Sequence, residues 1–407
     1  MFSKSLVLKN TLYQVIGKGI SIACSLLTVS LLTNYFGVEG WGNYVFLTTS
    51  VLLSFNLADW GVAAVTIRKW VRVKNKREVL GDALFLKVFL SFFAFLVFNL
   101  LAFFLPQFAS LRPYSFLASL TIFFLTLRTG ADIFFIARQE LGRKVFFEAL
   151  SSLLFLFLIW VFLKFFTLSF YQLVLFWLLA AAVAGLAALI LVFKQQGFKL
   201  RFSYSRIRGL FVQAFPLGLR QMIFAVYDEG IDSFFLKTFL GAAAVGYYGL
   251  AYKVYGNLVL LAAFFMNSLL AVLSREKPRL REKIFFAAAK FLLFLGLLVG
   301  GVTFFTAPWL INLLGGASFL PAVKALRILS GALVFSFLNH LVGYTLLALG
   351  KQKRLLYFSL ACLLVNLLGN YFLIPRGGVV AAALVTLMTE ATMFFLGIGF
   401  VRREIKK

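Results

Sequence analysis

Phe36-Gly37-Val38-Glu39-Gly40-Trp41-Gly42-Asn43-Tyr44 is a short, glycine-rich break between two long apolar runs. The run before it covers about 10–36 and the run after it about 42–66. Each is long enough to cross a bilayer core, which takes about 20 mostly apolar residues. Glycine supplies backbone angles that other residues resist, so the break reads as a tight hairpin. Tyr44 suits the interface where the second run begins. Working outward, further runs fall at 83–105, 114–136, 145–164 and 170–193. A second set falls at 211–239, 244–273, 284–306, 320–349, 355–374 and 378–401. The expected fold is therefore all-α, a polytopic membrane protein of twelve transmembrane helices.

Composition agrees. Of 407 residues 62% are hydrophobic and only 13% charged, too few to clothe a water-soluble surface. The mean hydropathy is +0.97, and the 52 Phe residues partition well into lipid. The net charge of +26 would suggest nucleic acid in a soluble protein. In a membrane protein it reads as basic cytoplasmic loops, so no nucleic-acid partner is expected. Cys24 and Cys362 both lie in apolar runs and build no disulfide framework or metal site. The first run carries Lys18 and continues without a small-residue cleavage site, unlike a removable signal peptide.

The basic residues fix the orientation. Alternate connections hold Lys4 and Lys9; Arg68, Lys69, Arg72, Lys74, Lys76 and Arg77; Arg138, Arg143 and Lys144; and Lys194, Lys199, Arg201, Arg206 and Arg208. The series continues with Arg275, Lys277, Arg279, Arg281 and Lys283, then Lys351, Lys353 and Arg354, and ends at Arg402, Arg403, Lys406 and Lys407. These total 28, against three (Arg112, Lys164 and Arg376) on the other side. The asymmetry predicts an even number of spans with both termini cytoplasmic, in the cell (cytoplasmic or inner) membrane. The external connections are too short for a folded domain, which leaves function to the helices and their mouths.

The opening stretch has a counterpart. Leu240-Gly241-Ala242-Ala243-Ala244-Val245-Gly246-Tyr247-Tyr248 pairs Gly37 with Gly241, Gly42 with Gly246 and Tyr44 with Tyr248, at an offset of 204. Half the chain length is the spacing of a duplication. Six spans per half enter the membrane the same way, giving two six-helix lobes related by a pseudo-two-fold axis along the membrane normal. The expected domains are an N-terminal lobe 1–193, a cytoplasmic linker 194–209 with Gly197 and Gly209, and a C-terminal lobe 210–407.

Nine basic residues remain within or at the ends of spans. Lys87, Lys237, Lys290, Lys324 and Arg327 lie close to ends of the apolar runs and are expected to snorkel. Lys18, Arg128, Arg220 and Lys253 lie about eight residues or more from an end, about 12 Å deep at 1.5 Å per residue. Charges at that depth cost at least about 2–3 kcal/mol unless they face a cavity or a partner. They predict a cationic cavity between the lobes that takes an anionic group such as a phosphate or diphosphate. The alternative is internal pairing with Asp59, Asp132, Glu148, Asp228, Glu229, Asp232 or Glu390. On helix 7, Asp228 and Asp232 share a face at i,i+4, with Arg220 two turns earlier. Asp59, Asp228, Asp232 and Glu390 are candidate coupling or ion-pair carboxylates. Asp59 is the best single candidate for sensing a proton or cation, or else it partners Lys18 or Arg128. Glu390 is weighed in the same way. His340, next to Asn339, has no nucleophile or metal arrangement around it and reads as a satisfied interior histidine. No phosphate-binding glycine loop is present, so no nucleotide cofactor is expected; the coupling ion would be H+ or Na+.

Three stretches carry a family resemblance. They are Asn10 to Asp59 with Asp59-Trp60-Gly61; Leu314-Gly315-Gly316-Ala317-Ser318-Phe319 with Ala322 and Leu326-Arg327-Ile328-Leu329; and Asn366 through Asn370, Ile374-Pro375, Gly378, Ala381-Ala382 and Thr389-Glu390. Together they resemble the polysaccharide-transporter branch, the O-antigen flippases, of the multidrug/oligosaccharidyl-lipid/polysaccharide exporter superfamily. The resemblance implies two lobes around a central cavity and no enzyme activity. It implies alternating-access flipping of a polyprenyl-diphosphate-linked oligosaccharide of the O-antigen or capsular type. The implied partners are an anionic lipid-linked glycan, membrane lipids and glycan-assembly enzymes. A cation-coupled multidrug or metabolite exporter of the same superfamily is the alternative, and a membrane-embedded glycosyltransferase or polymerase the remote one.

Overall fold

A computed structural model describes residues 4–70, 73, 75–196, 203–275 and 277–405. Of the residues singled out above, Arg72, Lys74, Gly197, Lys199, Arg201, Lys406 and Lys407 lie outside it, as do the side chains of Lys4, Lys9, Glu229 and Arg275. The described residues form helices α1 (Lys4–Asp59), α2 (Val62–Trp70), α3 (Lys76–Phe104), α4 (Arg112–Ala137), α5 (Leu141–Phe165), α6 (Phe170–Gln195) and α7 (Tyr204–Ala225). After a π turn, Val226–Gly230, come α8 (Ile231–Leu240), α9 (Ala242–Arg275), α10 (Pro278–Gly315), α11 (Ala322–Ala348) and α12 (Gln352–Glu404). Among these residues there is no strand.

Among the described residues, ten stretches are long and apolar enough to cross a membrane. Two of them, Leu12–Trp70 and Lys353–Glu404, are double-length. Each is broken by a glycine outside helical geometry, Gly37 at φ 64° and Gly378 at φ 58°. That left-handed region is one only glycine enters cheaply. Counting both sides of each break gives the twelve spans expected from the sequence. Span starts follow ordinary chemistry: Ser169 and Gln172 form a reciprocal capping box on α6, and Pro278 occupies the first turn of α10, where its missing N–H costs nothing.

The duplicated hairpins adopt one conformation. Gly37 has φ 64° and ψ −168°, and Gly241 has φ 83° and ψ −170°. The two hairpins also pack reciprocally. A Cβ on Gly42 would run into the main chain of Ala242 and Gly246, while a Cβ on Gly246 would run into Val38. Val38 and Ala242 are themselves 204 residues apart, so each hairpin meets the other through equivalent atoms. Gly42→Ala would place its methyl 2.8 Å from Gly246 N, against backbone that cannot swing aside. Overpacking of this kind costs about 1–3 kcal/mol, and thermal unfolding in detergent is expected to report the loss.

The chain forms two compact units: Met1–Leu31 with Leu47–Ala225, and Leu32–Phe46 with Val226–Lys407. The first has a core that includes Val62, Trp70, Leu80, Phe134, Phe147, Ala188 and Val192, with Leu210 and Ala214 of α7 part of the same cluster. The units thus part at the π turn within the seventh span, whereas the six-plus-six reading divides the chain at 194–209. The π turn also changes helix 7. Asp228 lies inside it and Asp232 beyond it, so Arg220, Asp228 and Asp232 do not follow one α-helical face.

Candidate functional site

The first unit holds a network of charges. On α1, Lys18 Nζ lies 2.5 Å from Glu148 Oε1 of α5. Lys87 of α3, 0% exposed, is bonded to Asp59 at the end of α1. Two expectations are corrected here. Lys87 does not snorkel, because α3 begins at Lys76 rather than near 83, which places Lys87 three turns into the helix. The partner of Asp59 is Lys87, not Lys18 or Arg128.

Arg128 and Asp132 lie one turn apart on α4. Asp132 is only 6% exposed, and its Oδ1 has no hydrogen-bond partner among the described residues. Arg128 Nε is likewise buried and unpartnered. The charges acting on Asp132 are Arg128, Lys144, Glu148 and Lys87. Together with Lys18 and Asp59, the cations of this network outnumber its carboxylates by one. Arg220 is half-buried and Lys253 exposed, and both engage other groups, so neither is a bare charge. The basic set proposed from depth is therefore divided: Lys18 is locked to Glu148, and Arg128 is the member whose buried donor stays unmatched. Sequence spacing missed a further pair of contacts. Arg206 at the start of α7 bonds Asp82 at 2.8 Å and lies 3.4 Å from Glu78, both on α3.

Along the α1–α5 seam of the same unit runs a cavity of about 640 Å³, lined by Tyr13, Ile16, Gly17, Arg143, Phe146 and Leu153, among others. A neighbouring cavity of about 390 Å³ shares Leu153 and continues past Leu27, Phe157 and Trp160. The walls are apolar apart from one end, where Gln139, Glu140 and Arg143 gather.

The second unit contains a different arrangement. Asp232, 5% exposed, opens α8 just past the π turn. Its carboxylate accepts from Asn370 Nδ2 at 2.5 Å, Tyr248 Oη at 2.5 Å, Thr386 Oγ1 at 3.2 Å and Asn366 Nδ2 at 3.3 Å. Asn366 and Asn370 lie one turn apart on α12, and Thr386 follows on the same helix beyond the Gly378 break. None of these partners carries a positive charge. Among the described residues, Asn370 Oδ1 is buried and unpartnered. Amide oxygen and nitrogen exchange places on rotation, so both asparagines can offer oxygen to a cation beside Asp232. Carboxylate, amide and hydroxyl oxygens on three helices form a donor set suited to a hard monovalent cation or a proton.

Glu390, one turn after Thr386, is held by Tyr255 Oη at 2.9 Å and Asn339 Nδ2 at 2.5 Å. The main-chain oxygen of Asp228 accepts from Tyr252 Oη. His340 Nδ1 lies 2.9 Å from Ser336 O on its own helix, as a satisfied interior histidine would. Among the described residues no cluster of His, Cys, Asp and Glu could hold a metal by itself. The sequence pointed to Asp232 and Glu390 but did not connect the tyrosines and asparagines with them. The i,i+4 pair Asn366/Asn370 and the i,i+4,i+7 series Tyr248/Tyr252/Tyr255 were the available signals.

Comparison with known proteins follows the same lines. The polysaccharide biosynthesis protein family matches residues 7–277, and the MatE family matches 216–372. An uncharacterized membrane protein of Methanocaldococcus jannaschii is 27% identical over 194 residues. That alignment covers 47% of this chain and 45% of the relative, so the chain spans less than half of the curated relative it matches. Among solved structures, an inward-facing multidrug resistance MATE family transporter superposes with TM-score 0.78 at 14% identity, covering 98% of this chain and 99% of that one. The lipid II flippase MurJ, in an inward closed conformation, gives 0.79 at 12% identity, covering 97% and 87%. A transporter from Pyrococcus furiosus, whose pocket is described as reversed in polarity, gives 0.71 at 15% identity, covering 100% of both. These likenesses show the fold. By its family match, the chain belongs to the polysaccharide biosynthesis protein family and is a multi-pass helical member of the multidrug/oligosaccharidyl-lipid/polysaccharide exporter superfamily.

Proposed function

We propose that this chain is an ion-coupled flippase for a polyprenyl-diphosphate-linked oligosaccharide, moving it across the cytoplasmic membrane by alternating access with both termini cytoplasmic. The observation that carries the sign of the substrate is Arg128. Among the described residues its buried Nε has no acceptor, in a network with one cation to spare. A guanidinium with an unmatched donor is suited to a phosphate oxygen, which takes charge-assisted bonds. The apolar seam between α1 and α5, polar at one end, supports a lipid-borne substrate over a free sugar phosphate. Membership of the family named for polysaccharide biosynthesis supports the glycan.

Under this reading, Asp232 with Asn366, Asn370, Thr386 and Tyr248 is the coupling-ion site for Na+ or H+. An ion that enters this carboxylate cage neutralises it, and the π turn beside Asp232 gives helix 7 a place to change register.

Arg128→Gln keeps a polar side chain, though a shorter one, and removes the charge. Charge-assisted hydrogen bonds contribute about 1.5–3 kcal/mol, so surface-glycan export in cells should fall at least about tenfold at equal expression. Unchanged export would remove the anion-binding role of Arg128. The MatE match over 216–372 supports a second reading, an ion-coupled exporter of drugs or metabolites. Drug resistance on expression, with surface glycans unaffected, would favour it.

A further inference from the structure

The second carboxylate of the C-terminal unit has its own setting. Glu390 receives bonds from Tyr255 of α9 and from Asn339 and Ser336 of α11, all neutral. Among the described residues no Lys or Arg pairs with it. The titratable groups that face it are Tyr227 of the π turn, Tyr255 of α9, His340 of α11 and Cys362 of α12. Within a bilayer an ionised carboxylate without a cation is costly, and taking up a proton is the least demanding way to neutralise it.

A protonated carboxyl must also donate. The acceptor is present: among the described residues Asn339 Oδ1 is buried and has no partner, on the same amide whose Nδ2 already bonds Glu390 Oε2. A carboxylic acid and a primary amide satisfy one another through two parallel bonds, O–H to amide oxygen and N–H to acid carbonyl. The site is therefore incomplete when Glu390 is ionised and complete when it is protonated.

Glu390 is also connected to Asp232. Tyr248, Tyr252 and Tyr255 form a ladder down one face of α9, with ring centroids 5.5 and 5.3 Å apart. The first tyrosine bonds Asp232, the second the main chain of Asp228, and the third Glu390. The stacked rings thus run without a gap from the surroundings of one carboxylate to those of the other.

We propose that Glu390 is a proton-binding site, separate from the oxygen cage at Asp232 and linked to it through the tyrosine ladder of α9. A proton from hydronium neutralises the Glu390 carboxylate and leaves water; the reverse step returns it to water. No other reactant is needed. The linkage rests on the reading of Asp232 as the coupling-ion site; the proton site does not.

The test is infrared spectroscopy of the full-length chain in phospholipid vesicles across a pH series. The wild type and Asp232→Asn should show a carboxylic-acid carbonyl band that titrates, and Glu390→Gln should lack it. Equal titration in Glu390→Gln and wild type would overturn the proposal. Asn339→Leu, which removes the acceptor but keeps Glu390, should shift the band and its midpoint; an unmoved band would equally overturn it. Exchanging choline chloride for NaCl should lower the wild-type midpoint by about one pH unit, the tenfold coupling typical of linked sites, and leave Asp232→Asn unmoved. A wild-type midpoint indifferent to Na+ would refute the linkage alone. No substrate enters these measurements, so their failure is distinct from failure of the glycan reading.

Discussion

Asp232→Ala is expected to abolish ion-driven translocation while leaving the chain folded in the membrane. Among the described residues the carboxylate is the only formal charge in its cage; Asn366, Asn370, Thr386 and Tyr248 are arranged around it. Losing even an outer partner of a bound ion commonly costs about 10–100-fold in affinity, so losing the charged ligand should cost at least about a hundredfold. The folded chain tolerates the change because the neutral partners can bond one another, as Asn370 Nδ2 and Asn366 Oδ1 already do at 2.9 Å. Binding of Na+ to purified protein, measured by calorimetry, and substrate transfer with and without an ion gradient check the two halves of this prediction. Wild-type ion dependence in Asp232→Ala would place coupling elsewhere.

The largest stability effect is expected at Lys87 and Asp59. Lys87 is fully buried and Asp59 largely so. Removing one member strands the other. Asp59→Ala leaves an ammonium in the core of the first unit, which costs about 3–5 kcal/mol, and Lys87→Met leaves a carboxylate at similar cost. Replacing both with apolar residues should recover most of the loss, because a buried pair contributes little net stability against a well-packed apolar substitute. A double-mutant cycle read by thermal unfolding in detergent tests this. Additive losses would mean that the two side chains do not act as a pair.

The sequence reports this fold well where a single physical quantity decides it. Apolar length marks the spans, and loop charge marks their alternation. Gly37 and Gly241 were recognisable as equivalent turns because left-handed backbone needs glycine, and their dihedral angles agree. It reports the site less well because the site depends on which helices meet. Lys87 looked superficial when depth was counted from the start of the apolar run. The helix starts earlier, at Lys76, because Lys and Glu in its first turn are polar without being helix breakers. Lys18 read as a cavity cation or as one member of an ion pair, because Glu148, 130 residues away, could not be placed beside it. The π turn at Val226–Gly230 has no propensity signature, so the register of Asp228 and Asp232 was taken as α-helical. The spacing of Tyr248, Tyr252 and Tyr255 acquires a meaning only with Asp232 and Glu390 at the two ends of the series.

Under the proposed function, the protein spends an ion gradient to move an anionic lipid-borne group. The most direct measurement is transfer of a fluorescent polyprenyl-diphosphate-linked oligosaccharide between leaflets of vesicles containing the purified chain. Transfer should exceed that in protein-free vesicles, respond to a Na+ or proton gradient, and vanish with Asp232→Ala. Transfer no faster than in protein-free vesicles, whatever the gradient, would contradict the account.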